Sequence, residues 1–151
     1  MFEKMLVPLD GSELAASILP LVEELAWMHK SSVVMLAVVR PPHSTEYTRS
    51  EDLMALNQQS VEVLRRDAEA YLAARKGEWR AEGILVETKV IVSSSVASTI
   101  LDYAEANGID LIAMSTHGRS GLGRWVYGSV ADKVLQHAIC PVLLIRSRQD
   151  G

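Results

Sequence analysis

Residues 114–130 read Met-Ser-Thr-His-Gly-Arg-Ser-Gly-Leu-Gly-Arg-Trp-Val-Tyr-Gly-Ser-Val, and the fold turns on this stretch. An apolar run, Ile109-Asp110-Leu111-Ile112-Ala113-Met114, leads into it. That run is short and follows Gly108, the pattern of a buried strand, here placed over 110–115. After the stretch, Val130, Val134, Leu135 and Ala138 recur at helical spacing. The order is therefore strand, glycine-rich loop and helix start. Such an arrangement cradles anions: successive N–H groups of the loop point into one concavity, and the helix opening near Ser129 adds unpaired N–H groups and a positive dipole end. Ser129 offers a hydroxyl, and Arg119 and Arg124 offer charge to a polyphosphate. The spacing is neither the Gly-x-x-x-x-Gly-Lys-[Ser/Thr] phosphate loop nor the dinucleotide Gly-x-Gly-x-x-Gly, since Val126 stands where a third glycine would fall. Read from residues alone, the loop is either an anion site or a flexible connection.

Composition narrows the class. The chain has 151 residues, enough for one domain with a sizeable core, expected over 1–146 with a charged tail at 147–151. Its 48% hydrophobic and 23% charged residues are those of a globular protein. A net charge of −4 argues against general nucleic-acid binding, which leaves a basic footprint. The single cysteine, Cys140, permits no intrachain disulfide and no multi-cysteine zinc site, and fits a reducing, cytoplasmic compartment. No base is tied to Cys140 by a known spacing, so it reads as a buried or half-buried thiol rather than a nucleophile. Met1–Leu9 is too short for a signal peptide and carries Glu3, and no apolar run nears the ~20 residues of a membrane span. The four histidines lie far apart, without metal-ligand spacing.

In chain order, Met5–Leu9 is a first buried strand that ends in the turn Asp10-Gly11-Ser12. A helix capped by Ser12 is expected to run to about Lys30, kinked at Pro20, with Leu14, Ile18, Leu21, Leu25 and Met28 facing the sheet. Ser32–Val39 is a second, fully buried strand. Residues 43–50 form the one long loop, either a cover for a ligand or a surface segment. A long helix is expected over 51–81, with a stripe of Val61, Leu64, Ala68, Tyr71 and Leu72, ended by Gly83. A third strand over 85–92 follows. The serines 93–95 lead into a helix over 96–106, either as its cap or as hydroxyls for a ligand. Pro141–Ile145 is a fifth strand. Strands and helices alternate throughout, which implies a parallel sheet with helices on both faces.

The 114–130 stretch resembles the nucleotide-binding motif of the universal stress protein family, Gly-x2-Gly-x9-Gly-[Ser/Thr]. Here it reads Ser115-x2-Gly118-x9-Gly128-Ser129, with a serine in place of the first glycine. The family's Gly-x-Pro-Ala bridge is matched in part by Ser94-x-Val96-Ala97. The resemblance spans nearly the whole chain and is to the nucleotide-binding branch. It implies an open, Rossmann-like five-stranded parallel sheet of the adenine nucleotide alpha hydrolase type, with strand order 3-2-1-4-5. That order would set the ends of strands 1 and 4 side by side where the winding reverses, the usual place for a ligand.

Carried over position by position, the resemblance implies that Pro8, Leu9 and Asp10 line the base and ribose side, with Val38 closing the apolar wall. Met114 and Ser115 would form the floor. Gly118, Arg119, Gly128, Ser129 and Val130 would hold phosphates, and His117 would either donate to a phosphate or brace the loop. Asp10 has a plainer reading as a turn aspartate that caps the next helix, and also a possible contact to magnesium. The implied ligand is ATP, or AMP or ADP, in a stress-response regulatory protein with little or no turnover. Slow nucleotide hydrolysis and a dimeric interaction module without a nucleotide are the alternatives. A homodimer joined through the last strand is implied too.

Overall fold

The computed structural model describes residues 1–42, 51–117 and 128–147. The elements are β1 (Lys4–Pro8), α1 (Glu13–Ala16), α2 (Leu19–His29), β2 (Ser32–Val39), α3 (Glu51–Gly77), β3 (Val86–Val92), α4 (Val96–Ala106), β4 (Leu111–His117), α5 (Ser129–His137) and β5 (Val142–Ser147). All described strand pairs are parallel, in the order β3-β2-β1-β4-β5. This is the α/β architecture expected from the alternation of strands and helices, with the strand order that the family resemblance implies.

Each face of the sheet buries its own core. Met5, Val7, Met35 and Ala113 pack against Ile18, Val22 and Ala26 from the α1–α2 side and Leu72 of α3. On the opposite face, Leu6, Leu36, Ile112 and Met114 pack against Ile100 of α4 and Ala131 and Val134 of α5. The alternation along each strand follows from the period of two, and burial on both sides explains the unbroken apolar runs Met5–Pro8, Val33–Val39 and Leu111–Met114 within β1, β2 and β4.

Several boundaries differ from the sequence reading. Pro20 does not kink one helix; it opens a second. α1 ends at Ala16, and Pro20 sits in the first turn of α2, where its missing N–H leaves no bond unmade. The break resets the helical phase: Ile18, Leu19, Val22 and Ala26 are buried, while Met28 is 61% exposed. α3 stops at Gly77 rather than near 81. Gly83 lies beyond it with φ +86°, a left-handed turn position rather than a helix end. Within the stripe expected on α3, Leu72 is buried, but Leu64 is 40% exposed. Ser95 is the N-cap residue of α4, yet its side chain makes no capping bond. β4 runs on to His117, two residues past the expected end.

The central pair of strands is joined at one end and open at the other. At the start, the Asp110 carboxylate accepts the N–H groups of Glu3 (2.7 Å) and Lys4 (3.1 Å), and the Asp110 N–H donates to the Lys4 carbonyl (3.0 Å). The ladder between β1 and β4 pairs Met5 with Leu111 and Leu6 with Ile112. It stops there, although β1 continues to Pro8 and β4 to His117. β1 keeps its pairing with β2 as far as Pro8–Leu36. The strands therefore part on the β4 side, and a crevice opens at the C-terminal ends.

Candidate functional site

A cavity of about 430 Å³ occupies this crevice. Three strand ends and the starts of α1, α4 and α5 build it. The end of β1 supplies Pro8, Leu9 and Asp10. The Leu9 N–H donates to the Leu36 carbonyl (2.8 Å), which extends the β1–β2 ladder by one residue before the chain turns. Gly11, at φ +86°, makes that turn. One carboxylate oxygen of Asp10 accepts both the Ser12 N–H (2.9 Å) and the Ser12 hydroxyl (2.5 Å). The Ser12 hydroxyl oxygen in turn accepts the Ala15 N–H (3.1 Å) and caps α1. Asp10 thus holds the turn while its carboxylate borders the cavity.

β2 contributes Leu36 and Val38, spaced by two as strand residues on one face must be, and Arg40 follows just past its end. Val96 and Ile100 of α4 complete the apolar wall. None of the serines 93–95 lines the cavity; Ser93 and Ser95 bond to each other, the Ser95 N–H donating to the Ser93 hydroxyl (3.2 Å).

β4 brings Met114, Ser115 and Thr116 to the cavity. The Ser115 hydroxyl lies 3.0 Å from that of Ser17, at the end of α1. Ser115 is not in the left-handed region; among the described non-glycine residues only Phe2 and Lys30 have positive φ. The motif's missing glycine is therefore not called for by backbone conformation here. Thr116 is 5% exposed, and its hydroxyl has no hydrogen-bond partner among the described residues.

The opening turn of α5, Gly128–Ala131, closes the remaining side. Gly128 is the N-cap residue at φ −56°, ψ 151°, and among the described residues no side chain caps the helix. The first helical bond runs from the Asp132 N–H to the Gly128 carbonyl (2.9 Å), so the N–H groups of Ser129, Val130 and Ala131 have no intrahelical acceptor. A Cβ placed on Gly128 would meet nothing within 4 Å. Asp10 and Arg40 are the charged side chains among the described lining residues.

Of the residues singled out from the sequence, Pro8, Leu9, Asp10, Val38, Met114, Ser115, Gly128, Ser129 and Val130 meet at this one cavity. The backbone of His117 closes β4, paired with Ser147 of β5. Gly118 and Arg119 lie outside the described residues, as do Gly121, Gly123, Arg124, Trp125, Tyr127 and the 43–50 segment. Sequence reasoning passed over Thr116 and Arg40. Both were within reach of strand periodicity, standing two residues beyond Met114 and Val38. Among the described residues, no group of three His, Cys, Asp or Glu side chains is placed to hold a metal. Cys140 stands apart from the cavity, and burial pushes its thiol pKa up, with the Asp110 charge adding to the effect.

The geometry places the backbone donors that open α5 and an apolar wall at the winding reversal of an open α/β sheet. Known proteins share this frame. Universal stress protein YxiE of Bacillus subtilis is 30% identical over 150 residues, covering 97% of this chain and 100% of that protein. The solved universal stress protein UspA from Lactobacillus plantarum superposes with a TM-score of 0.81 at 24% identity, covering 96% of this chain and 98% of that one. A universal stress protein solved in complex with cAMP shares the fold, with a TM-score of 0.63 at 16% identity over 97% of this chain and 98% of its own. The model of the universal stress protein family matches residues 1–146. With the motif, the strand order and the cavity in register with that match, the chain belongs to the universal stress protein family.

Proposed function

We propose that this protein binds ATP, or its relatives ADP and AMP, at the β1–β4 crevice and acts as a homodimeric regulatory module in the stress response, with little or no turnover. One observation carries the reading: the uncapped start of α5 and the Asp10 turn face one cavity of about 430 Å³, within the size range of small-molecule sites. The phosphates sit at the α5 N-terminus, where free N–H groups and the helix dipole favour anions. The base lies against Val38 and Met114, and Asp10 accepts hydrogen bonds from the base or ribose.

Hydrolysis calls for groups that hold a metal and position the attacking water. Among the described lining residues Asp10 is the one carboxylate. It is the group that would meet the magnesium of Mg-ATP, and it stands there without a second carboxylate. Binding is the output that this set supports.

The test is to purify the protein without added nucleotide, denature it and identify any small molecule released. The emptied protein is then titrated by calorimetry with ATP, ADP, AMP and cAMP, with and without magnesium. Co-purified or micromolar adenine nucleotide is expected. Gly128→Ala adds a methyl group to the cavity wall without backbone strain, so it should weaken binding about tenfold or more while the melting temperature stays put. An empty protein that gives no heat with millimolar ATP would end the nucleotide reading and leave the dimeric interaction module.

A further inference from the structure

Three buried polar side-chain atoms have no hydrogen-bond partner among the described residues: Tyr71 Oη, Trp79 Nε1 and Thr116 Oγ1. Tyr71 and Trp79 pack on the core face that α3 covers. Thr116 alone of the three lines the cavity. A buried hydroxyl that has lost its water and gained no partner weakens the fold, and native structures rarely keep one without a reason. Its position suggests the reason. Strand alternation sets Thr116 on the face of β4 that carries Ile112 and Met114, the face on which Ala131 and Val134 of α5 pack. The first turn of α5, whose N–H groups have no acceptor and no side-chain cap among the described residues, lines the same cavity.

We infer that Thr116 is a specificity-determining residue: its hydroxyl donates to a phosphoryl oxygen seated at the start of α5. This deepens the nucleotide reading and rests on it for the nucleoside half of the ligand. The neighbouring groups at this end are backbone donors under a positive dipole end. The partner that completes them is an acceptor-rich, anionic group, and a phosphate offers several lone pairs at once. A ribose hydroxyl would leave the α5 N–H groups without an anion. Thr116 therefore holds an unmade bond in the empty protein and makes it when a phosphate arrives. The site is partly organised for its ligand before binding.

The experiment compares wild type, Thr116→Val and Thr116→Ser. Valine keeps the shape and removes the hydroxyl; serine keeps the hydroxyl. Each protein is melted without ligand, then titrated with ATP, AMP, adenosine and pyrophosphate. The valine protein should melt at or above the wild-type temperature, because a buried unpaired group has gone. Its affinity for ATP, AMP and pyrophosphate should fall about tenfold, with adenosine unchanged and the serine protein within about twofold of wild type. Unchanged ATP affinity in folded Thr116→Val overturns the inference while the nucleotide reading stands. An equal loss for adenosine overturns it too, because the contact is then not to phosphate. A lower melting temperature for Thr116→Val means that the hydroxyl already has a partner, with the same result. Wild type that binds pyrophosphate but not adenosine or ATP ends the nucleotide reading alone, provided that Thr116→Val loses the pyrophosphate. Wild type that binds none of the four overturns both.

Discussion

Ser17 and Ser115, 98 positions apart, share a hydrogen bond with their hydroxyl oxygens 3.0 Å apart. The Ser17 hydroxyl also lies 2.6 Å from the Leu14 carbonyl. The bond ties the end of α1 to β4 beside the cavity. It gives the serine that replaces the motif's first glycine a structural use. Ser115→Gly, the change that restores the family motif, should therefore lower stability by about 1 kcal/mol, from the lost bond and the added backbone freedom in a strand. Urea denaturation measures this, and a double-mutant cycle with Ser17→Ala isolates the bond. Nucleotide affinity should change less than about twofold, because Ser115 sits at an ordinary strand φ. Additive effects of the two substitutions would remove the proposed link.

The fold was legible where burial is two-sided. Ser32–Val39 reads as an unbroken apolar run and forms a strand with those bounds. The alternation of strands and helices implies the parallel sheet, while the strand order came only with the family resemblance. The Ser12–Lys30 segment misled because its apolar residues suit one helix almost as well as two. Whether Pro20 kinks a helix or opens one depends on where Ser17 and Ile18 turn, which periodicity does not encode. At the site, Asp10 and Ser129 stand out as polar residues at the ends of elements. Thr116 does not, because an unpaired hydroxyl is a property of its packing and not of its neighbours in sequence.

Asp10 has two duties that substitution can separate. Its carboxylate oxygen holds the Ser12 N–H and hydroxyl, and an asparagine keeps an acceptor there. Asp10→Asn should leave stability within about 0.5 kcal/mol of wild type, whereas Asp10→Ala, which strips the turn, should cost about 1 kcal/mol. Both should weaken ATP and adenosine alike, by about tenfold, if the charge receives hydrogen bonds from base or ribose. Calorimetry that finds full affinity in Asp10→Asn would confine Asp10 to the turn.

Arg40 is the one basic side chain among the described residues that line the cavity. Exposed charge acts over a Debye length of ~8 Å at physiological salt and far less at high salt. Arg40→Gln should lower ATP affinity about threefold at low ionic strength, and the gap should close near ~0.5 M salt. Adenosine, which carries no charge, is the control and should bind both proteins equally. A loss that ignores salt would mean that Arg40 acts by packing its stem against the ligand rather than by charge.

Cys140 gives a test by pH. Burial raises its thiol pKa, so the thiolate fraction at pH 8 is smaller in the folded chain than in the unfolded one. Alkylation by iodoacetamide at pH 8 should be slower in native protein than in urea, with a rate that climbs only above the ordinary thiol value of ~8.5. The linkage has a definite sign: a raised folded pKa contributes stability in full below the unfolded value, and loses it as pH rises through the folded one. Cys140→Ser should therefore flatten the alkaline end of the stability profile, with the lost packing against the core adding an offset that does not vary with pH. Native alkylation as fast as that in urea would show a thiol that burial does not restrain.

The two edges of the sheet differ in a way that bears on assembly. β3 presents exposed Glu87, Thr88 and Lys89 along its length, and charge on an edge discourages pairing. β5 presents Val142, Leu143, Leu144 and Ile145, all half-buried, with Ile139 beside it 75% exposed. An apolar edge of this kind gains by covering itself with a second copy, whose own edge is the same surface and so self-complementary about a two-fold axis. The protein should sediment as a dimer at micromolar concentration. Ile139→Lys with Leu143→Lys puts two charges on that edge and should give a monomer, because a buried contact between like charges opposes pairing. The cavity lies at the strand ends between β1 and β4, not along β5, so ATP affinity should survive in the monomer. A wild-type monomer at ~100 μM, or a double variant that remains dimeric, would move the interface away from β5.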